Sequence, residues 1–98
     1  MLEETIEVMN EEGLHTRPAN RFVRIAKGLP CKIAIRKGDR EASGTSLLKI
    51  MKLGIVQGDM VTVICDGSNG ADGTSASAEE QQSMETIRAF LREGKEPV

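Results

Sequence analysis

Residues 13–28 read GLHTRPANRFVRIAKG, and this stretch specifies the first helix of the chain. From Ala19 onward apolar side chains recur at the spacing i, i+3, i+4 and i+7, with arginine and lysine opposite them, which is typical of an amphipathic helix. Pro18 fits the first turn, where a missing N–H removes no hydrogen bond. Gly28 ends the helix, and Pro30 prevents its continuation.

Patterns of two-residue period lie on both sides of this helix. They predict four strands, at residues 3–9, 31–36, 40–43 and 60–65. Ser46 is placed to cap a brief helix that runs through Leu53, and Ser77 begins a capping-box pattern ahead of a last helix that Gly94 ends. The order βαββαβα predicts an α+β fold, in which helices pack on one face of a small antiparallel sheet.

The length of 98 residues predicts a single domain over residues 1–98. We expect residues 66–76 to form an extended Gly/Ser-rich loop and residues 95–98 to fray. No apolar stretch approaches the roughly 20 residues that cross a bilayer, so membrane insertion is not expected. The N-terminus shows no export signal, which favours the cytoplasm. Cys31 and Cys65 fit no metal-binding or redox spacing and are expected to be buried or half-buried thiols.

Charge is distributed unevenly along the chain. Residues 17–52 carry ten basic and two acidic side chains, a net +8, whereas the remainder carries three basic and thirteen acidic ones. This split indicates an acidic partner that meets the middle of the protein. Charge alone is equally compatible with a solvated surface pattern.

His15 is the single histidine, and it stands at or next to the N-cap of the first helix. The unpaired N–H groups of a helix start favour an anion there, and the guanidinium of Arg17 suits phosphate oxygens. A neutral imidazole is a nucleophile, so this corner has the parts of a phosphoryl acceptor. The alternative is a structural or incidental histidine. The chain shows no nucleotide-binding motif, no paired-carboxylate motif and no metal cluster, so neither a cofactor nor a metal is expected.

The short helix near residues 46–53 is apolar around too much of its circumference for a helix with one buried side. If Ile50 and Leu53 face inward, then Leu48 and Met51 face outward beside two lysines, as in a docking surface. Alternatively, a small domain simply exposes some leucine.

Two segments resemble the HPr family, the histidine-containing phosphocarriers of the phosphoenolpyruvate-dependent sugar phosphotransferase system. Gly13–Ala19 looks like the phosphorylation-site motif of that family, and Thr45–Ile55 resembles its second motif. The resemblance implies an open-faced β-sandwich with a four-stranded antiparallel sheet and three helices. It also implies that Nδ1 of His15 takes phosphate from enzyme I, which phosphoenolpyruvate has charged, and passes it to an enzyme IIA domain. Arg17 matches the arginine that neutralises the phosphate.

The resemblance further implies a set of partner-binding residues, which are Thr16, Asn20, Arg24, Lys27, Leu47, Leu48, Lys49, Met51 and Lys52. Ser46 matches the serine that a dedicated kinase/phosphorylase modifies in some members, where it affects partners such as a transcriptional regulator. Three features depart from the family pattern: the longer loop, the extra charge of Lys52, and Glu12, whose carboxylate either lies close to the histidine or points to solvent.

Three further hypotheses stay open at this point. The first is a regulatory HPr paralogue in nitrogen or catabolite control, without net sugar transport. The second is a regulatory adaptor in which phosphorylated Ser46 forms a binding face. The third is a nucleic-acid-binding module, although such sheets stack bases on surface aromatics, and Phe22 and Phe90 both lie in predicted helices. We expect a monomer that binds no nucleic acid.

Overall fold

The described residues form seven elements, in the order predicted from the sequence. The computed structural model describes residues 1–67 and 78–94. The elements are β1 (Leu2–Glu7), α1 (Thr16–Gly28), β2 (Lys32–Lys37), β3 (Arg40–Ser43), α2 (Leu47–Lys52), β4 (Met60–Asp66) and α3 (Ala78–Glu93).

The four strands form one antiparallel sheet in the order β1–β4–β2–β3. Burial alternates along the central strand β4, where Val61, Val63 and Cys65 are buried and the residues between them are half-buried. All three helices contribute to the core on that face. The predicted open-faced α+β sandwich is therefore confirmed.

The core is aliphatic apart from one aromatic pair. Phe22 of α1 and Phe90 of α3 are buried, with ring centroids 6.3 Å apart and planes tilted by 52°. They join the two longer helices above the sheet. Neither ring is available to stack on a base, which agrees with the argument against a nucleic-acid-binding module.

The first strand is shorter than predicted and ends at Glu7 rather than Met9. The N–H of Val8 donates to the carbonyl of Asp59 at 2.9 Å, and that of Met9 donates to the carbonyl of Leu91 at 3.0 Å. These two residues leave the regular ladder because their partners lie in a loop and in α3. Local alternation does not report such a change of partner.

Several predictions for the segment before α3 concern residues outside the described ranges. Ser77, the proposed cap, is among residues 68–77, as is most of the predicted 66–76 loop, and residues 95–98 are also outside them. Asp66 is the last residue of β4. Glu80 is buried, accepts the N–H of Gly67 at 2.6 Å and lies 3.0 Å from the α-amino group of Met1. The single-domain assignment to residues 1–98 stays a prediction.

Both cysteines are buried free thiols, as predicted. Burial raises the pKa of the Cys65 thiol to about 12. Among residues 1–67 and 78–94, no group of three or more histidine, cysteine or acidic side chains could hold a metal ion. Within the same ranges, no helix combines the length and the apolar character needed to cross a bilayer.

Candidate functional site

His15 is the N-cap residue of α1, as the sequence predicted to within one position. Its backbone is extended, with φ −80° and ψ −162°, and its carbonyl accepts the N–H of Ala19 at 2.8 Å. The side chain makes no capping hydrogen bond and is exposed to solvent. The backbone therefore holds His15 at the helix start, and its imidazole is open to solvent.

A tight turn before the helix sets the direction of His15. The N–H of Gly13 donates to the carbonyl of Asn10 at 3.0 Å, and Nδ2 of Asn10 donates back to the carbonyl of Gly13 at 3.1 Å. Leu14 is buried, and its N–H donates to the carbonyl of Ile55 at 3.0 Å. Because the residue before it is anchored in the core, His15 projects outward.

Gly13 is the residue that lets this turn approach the neighbouring loop. Its φ of +61° lies in the left-handed region. A Cβ at this position would lie 2.7 Å from Cα of Val56 and closer still to the carbonyl oxygen of Ile55. Only glycine therefore fits here. Local sequence patterns do not predict this close approach, because it depends on a segment more than forty residues away.

The electrostatic surroundings of His15 favour an anion. The first turn of α1 contains no acidic residue, and Thr16 and Arg17 are exposed there. Their N–H groups belong to the amides of a helix start that lack an intrahelical acceptor, and Pro18 has no N–H to offer. Glu12 is exposed, and within the described part of the chain its carboxylate makes no hydrogen bond or ion pair, which agrees with the solvent-facing alternative.

The loop of residues 54–59, which contacts the His15 turn, is held by charged side chains that sequence analysis did not identify. Nζ of Lys37 donates to the carbonyl of Gly54 at 2.8 Å and lies 2.8 Å from Oδ2 of Asp59. The same carboxylate oxygen accepts the N–H of Val56 at 2.9 Å. The hydrogen bond from Lys37, together with that from the Val56 N–H, holds the pKa of the Asp59 carboxyl below its usual value.

Ser46 occupies the N-cap position of α2, as predicted, but the predicted capping bond is absent. Among the described residues its hydroxyl makes no capping hydrogen bond, while the carbonyl accepts the N–H of Ile50 at 3.0 Å. The preceding turn is stabilised instead by Ser43, whose Oγ accepts the N–H of Thr45 at 3.3 Å. Ser46 is half-buried, so part of the side chain reaches solvent.

The outward face of α2 is apolar and basic, as predicted. Leu48 and Met51 are 64% and 37% exposed, whereas Ile50 is fully buried. Lys49 and Lys52 are exposed beside the two apolar side chains. Leucine at the surface of a small domain is not unusual by itself, but here it lies in a set flanked by lysines.

One predicted partner residue, Leu47, is less exposed than a partner-binding surface requires. Leu47 is half-buried and packs against the core, which leaves less of it for a partner. The four residues of α1, in contrast, are all exposed, and they recur at helical spacing along one face: Thr16, Asn20, Arg24 and Lys27. Since α1 packs against α2, the site residues of both helices can contribute to one surface.

The family model described as "PTS HPr component phosphorylation site" matches residues 2–93. The chain belongs to the HPr family. Among HPr proteins, the phosphocarrier protein HPr of Haemophilus influenzae is 34% identical over 91 residues, which cover 93% of this chain and 95% of that one. The phosphocarrier protein HPr of Vibrio cholerae is 42% identical over 67 residues, with 68% and 79% covered.

A solved HPr structure supports the same assignment. The phosphocarrier protein HPr of Bacillus anthracis superposes with a TM-score of 0.77 at 27% identity, covering 92% of this chain and 95% of that one. The resemblance of Gly13–Ala19 and Thr45–Ile55 to HPr is thus confirmed at the level of family and fold. This chain is an HPr-family phosphocarrier of the phosphotransferase system.

Proposed function

We propose that His15 is the residue that carries the phosphoryl group, accepting it from enzyme I and donating it to enzyme IIA domains of sugar transporters. The observation that carries this proposal is the exposed imidazole at the start of α1, which is not engaged as a helix cap. The family match adds support, because the matched model is that of a phosphorylation site.

In the transfer step, neutral Nδ1 of His15 attacks phosphorus. The N–P bond forms while the bond from phosphorus to the donor's leaving atom breaks, so no proton has to be removed from the nitrogen beforehand. The transferred phosphoryl group carries roughly −2 of charge. The guanidinium of Arg17 and the free amides of Thr16 and Arg17 would stabilise this charge, and the reverse sequence of bond changes passes the group to the acceptor.

For the docking surface we propose the exposed faces of α1 and α2. The positive side chains of Arg24, Lys27, Lys49 and Lys52 favour acidic partners, and Leu48 and Met51 supply the apolar centre. The set predicted from the family also includes Thr16, Asn20 and Leu47. A carrier must release each partner, so we expect small, reversible interfaces and a monomer that acts in the cytoplasm.

We also propose that a serine kinase/phosphorylase regulates the carrier through Ser46. A phosphate there would add roughly −2 of charge beside Lys49. This change would weaken binding of acidic partners and could favour a transcriptional regulator instead. Ser46→Asp should raise the enzyme I concentration needed for half-maximal transfer, whereas Ser46→Ala should not. Equal behaviour of the two variants would contradict this regulation.

The decisive experiment uses phosphoenolpyruvate labelled with ³²P and enzyme I. Wild type should acquire acid-labile label, as expected of a phosphoramidate, and His15→Ala should acquire none. Ser46→Ala is the control, since an acid-stable ester at that residue would disappear in it while the histidine label remained. An unlabelled wild type, or labelled His15→Ala, would refute the proposal. Labelling by enzyme I without transfer to any IIA domain would favour the regulatory paralogue.

A further inference from the structure

The side chains of Lys37 and Asp59 together hold the 54–59 loop in place. Lys37 reaches this loop from the end of β2, and its single ammonium contacts both the Gly54 carbonyl and the Asp59 carboxylate at 2.8 Å. The carboxylate in turn accepts the N–H of Val56. The two charged side chains thus connect three residues of the six-residue loop, namely Gly54, Val56 and Asp59.

The same loop also contacts the turn that carries His15. The Ile55 carbonyl accepts the N–H of Leu14, the residue immediately before the histidine. Gly13 packs so closely on the loop that no Cβ would fit. Val8, the residue after β1, donates its N–H to the Asp59 carbonyl at 2.9 Å, and its own carbonyl accepts the N–H of Gly58 at 2.7 Å. The loop is therefore bonded both to the residue after β1 and to the turn before His15, so a shift of the loop would displace the turn.

We propose that Lys37 and Asp59 are positioning residues for phosphoryl transfer, acting on His15 through the 54–59 loop and Leu14. This inference rests on the proposed function of His15. Phosphoryl transfer depends mainly on alignment and charge neutralisation, and a displacement near 1 Å can reduce a rate about 100-fold. Release of one side of the loop is a smaller disturbance, for which we expect a three- to tenfold loss of rate, as an order of magnitude.

Paired variants of opposite charge separate positioning from docking. Lys37→Met removes a positive charge, and Asp59→Asn removes a negative one, yet positioning predicts that both lower the maximal rate of His15 phosphorylation by enzyme I. If the two residues acted only through electrostatic attraction of an acidic enzyme I, the two variants would change the half-saturating concentration of enzyme I in opposite directions. Lys37→Arg should recover most of the rate, because a guanidinium can contact both oxygen atoms.

Matched controls are available on the same hairpin. Lys32 of β2 and Asp39 of the β2–β3 turn are exposed, and their side chains make no hydrogen bond or ion pair with the residues that the structure describes. Lys32→Met and Asp39→Asn therefore repeat the two charge changes without touching the 54–59 loop. We expect both to keep the wild-type maximal rate.

A structural readout accompanies the kinetics. In ¹H–¹⁵N spectra, Lys37→Met and Asp59→Asn should shift the amide signals of Leu14 and Val56, and the controls should not. Wild-type maximal rates in both variants, opposite rate changes in the two, or losses as large in the controls would overturn the inference while leaving the role of His15 intact. A wild type that enzyme I does not phosphorylate would instead refute the proposed function.

Discussion

Substitution of Gly13 by alanine tests the close contact between the turn before His15 and the 54–59 loop. At φ +61° a residue with a Cβ pays about 1–2 kcal/mol for the left-handed conformation. The new Cβ would also lie 2.7 Å from Cα of Val56 and still closer to the carbonyl oxygen of Ile55, both backbone atoms. Forcing such a group into a packed site costs about 1–3 kcal/mol more. The total loss of unfolding free energy is then about 2–5 kcal/mol.

Gly38→Ala is the matched control for this experiment. Gly38 has nearly the same backbone conformation, φ +60°, but nothing lies within 4 Å of the position that its Cβ would take. It should therefore lose only the conformational part, about 1–2 kcal/mol. The difference between the two variants isolates the close approach of the His15 turn to the 54–59 loop. For a domain of this size, each kcal/mol lowers Tm by about 4–8 °C.

Far-UV circular dichroism in urea is the suitable assay, because the chain contains neither tryptophan nor tyrosine. The same samples should be tested for phosphorylation by enzyme I under conditions in which both variants are folded. We expect Gly13→Ala to be slowed about tenfold or more, since the turn moves with its new side chain, and Gly38→Ala to match wild type. Equal losses of stability in the two alanine variants would refute the argument from close packing.

Three other predictions concern stability and reactivity. The hydrogen bond from Arg88 holds the pKa of the Glu4 carboxyl below its usual value. This partly exposed pair therefore stabilises the fold by under about 1 kcal/mol above the unfolded-state pKa, and the stabilisation is lost as pH falls through the folded-state pKa. In Glu4→Gln, the urea midpoint should consequently fall less steeply as the solution is acidified. Cys65, with its pKa raised to about 12, should resist iodoacetamide at pH 8 until urea unfolds the protein, and rapid native alkylation would contradict its burial. Ile50→Ala should cost about 2–5 kcal/mol of unfolding free energy, whereas Leu48→Ala should change it by less than about 0.5 kcal/mol and weaken enzyme I binding instead.

Features that depend on neighbouring residues were predictable from the sequence. The spacing of Phe22 and its apolar neighbours predicted α1, and the excess of apolar residues around α2 predicted that Leu48 faces solvent. The strand β3 was predicted in the same way, and it has the predicted bounds of Arg40–Ser43. In each case the period of the pattern matches the geometry of the element, so no tertiary information was needed.

Features that depend on distant partners were not predictable in this way. Ser46 has the residue type of a cap, yet its hydroxyl makes no capping bond in the structure. The ion pair of Lys37 and Asp59 joins β2 to a loop twenty-two positions later, and neither residue belongs to a recognisable motif. Strand order presents the same difficulty, since the pairing of β1 with β4 spans most of the chain. Sequence patterns report a residue's own environment better than the partner it finds across the fold.

In the proposed function, the site divides into a reactive group and a support, and the two differ in how substitutions should affect them. The side chain of His15 makes no capping hydrogen bond, so the proposed transfer depends on the imidazole itself and on the charges of Arg17 and the first amides. Its direction depends on backbone contacts made by Gly13 and Leu14 with the 54–59 loop. Changes in the first group should abolish or reduce the phosphorylated state itself. Changes in the second should leave that state attainable but slow its formation, so end-point labelling alone would miss them and rates must be measured.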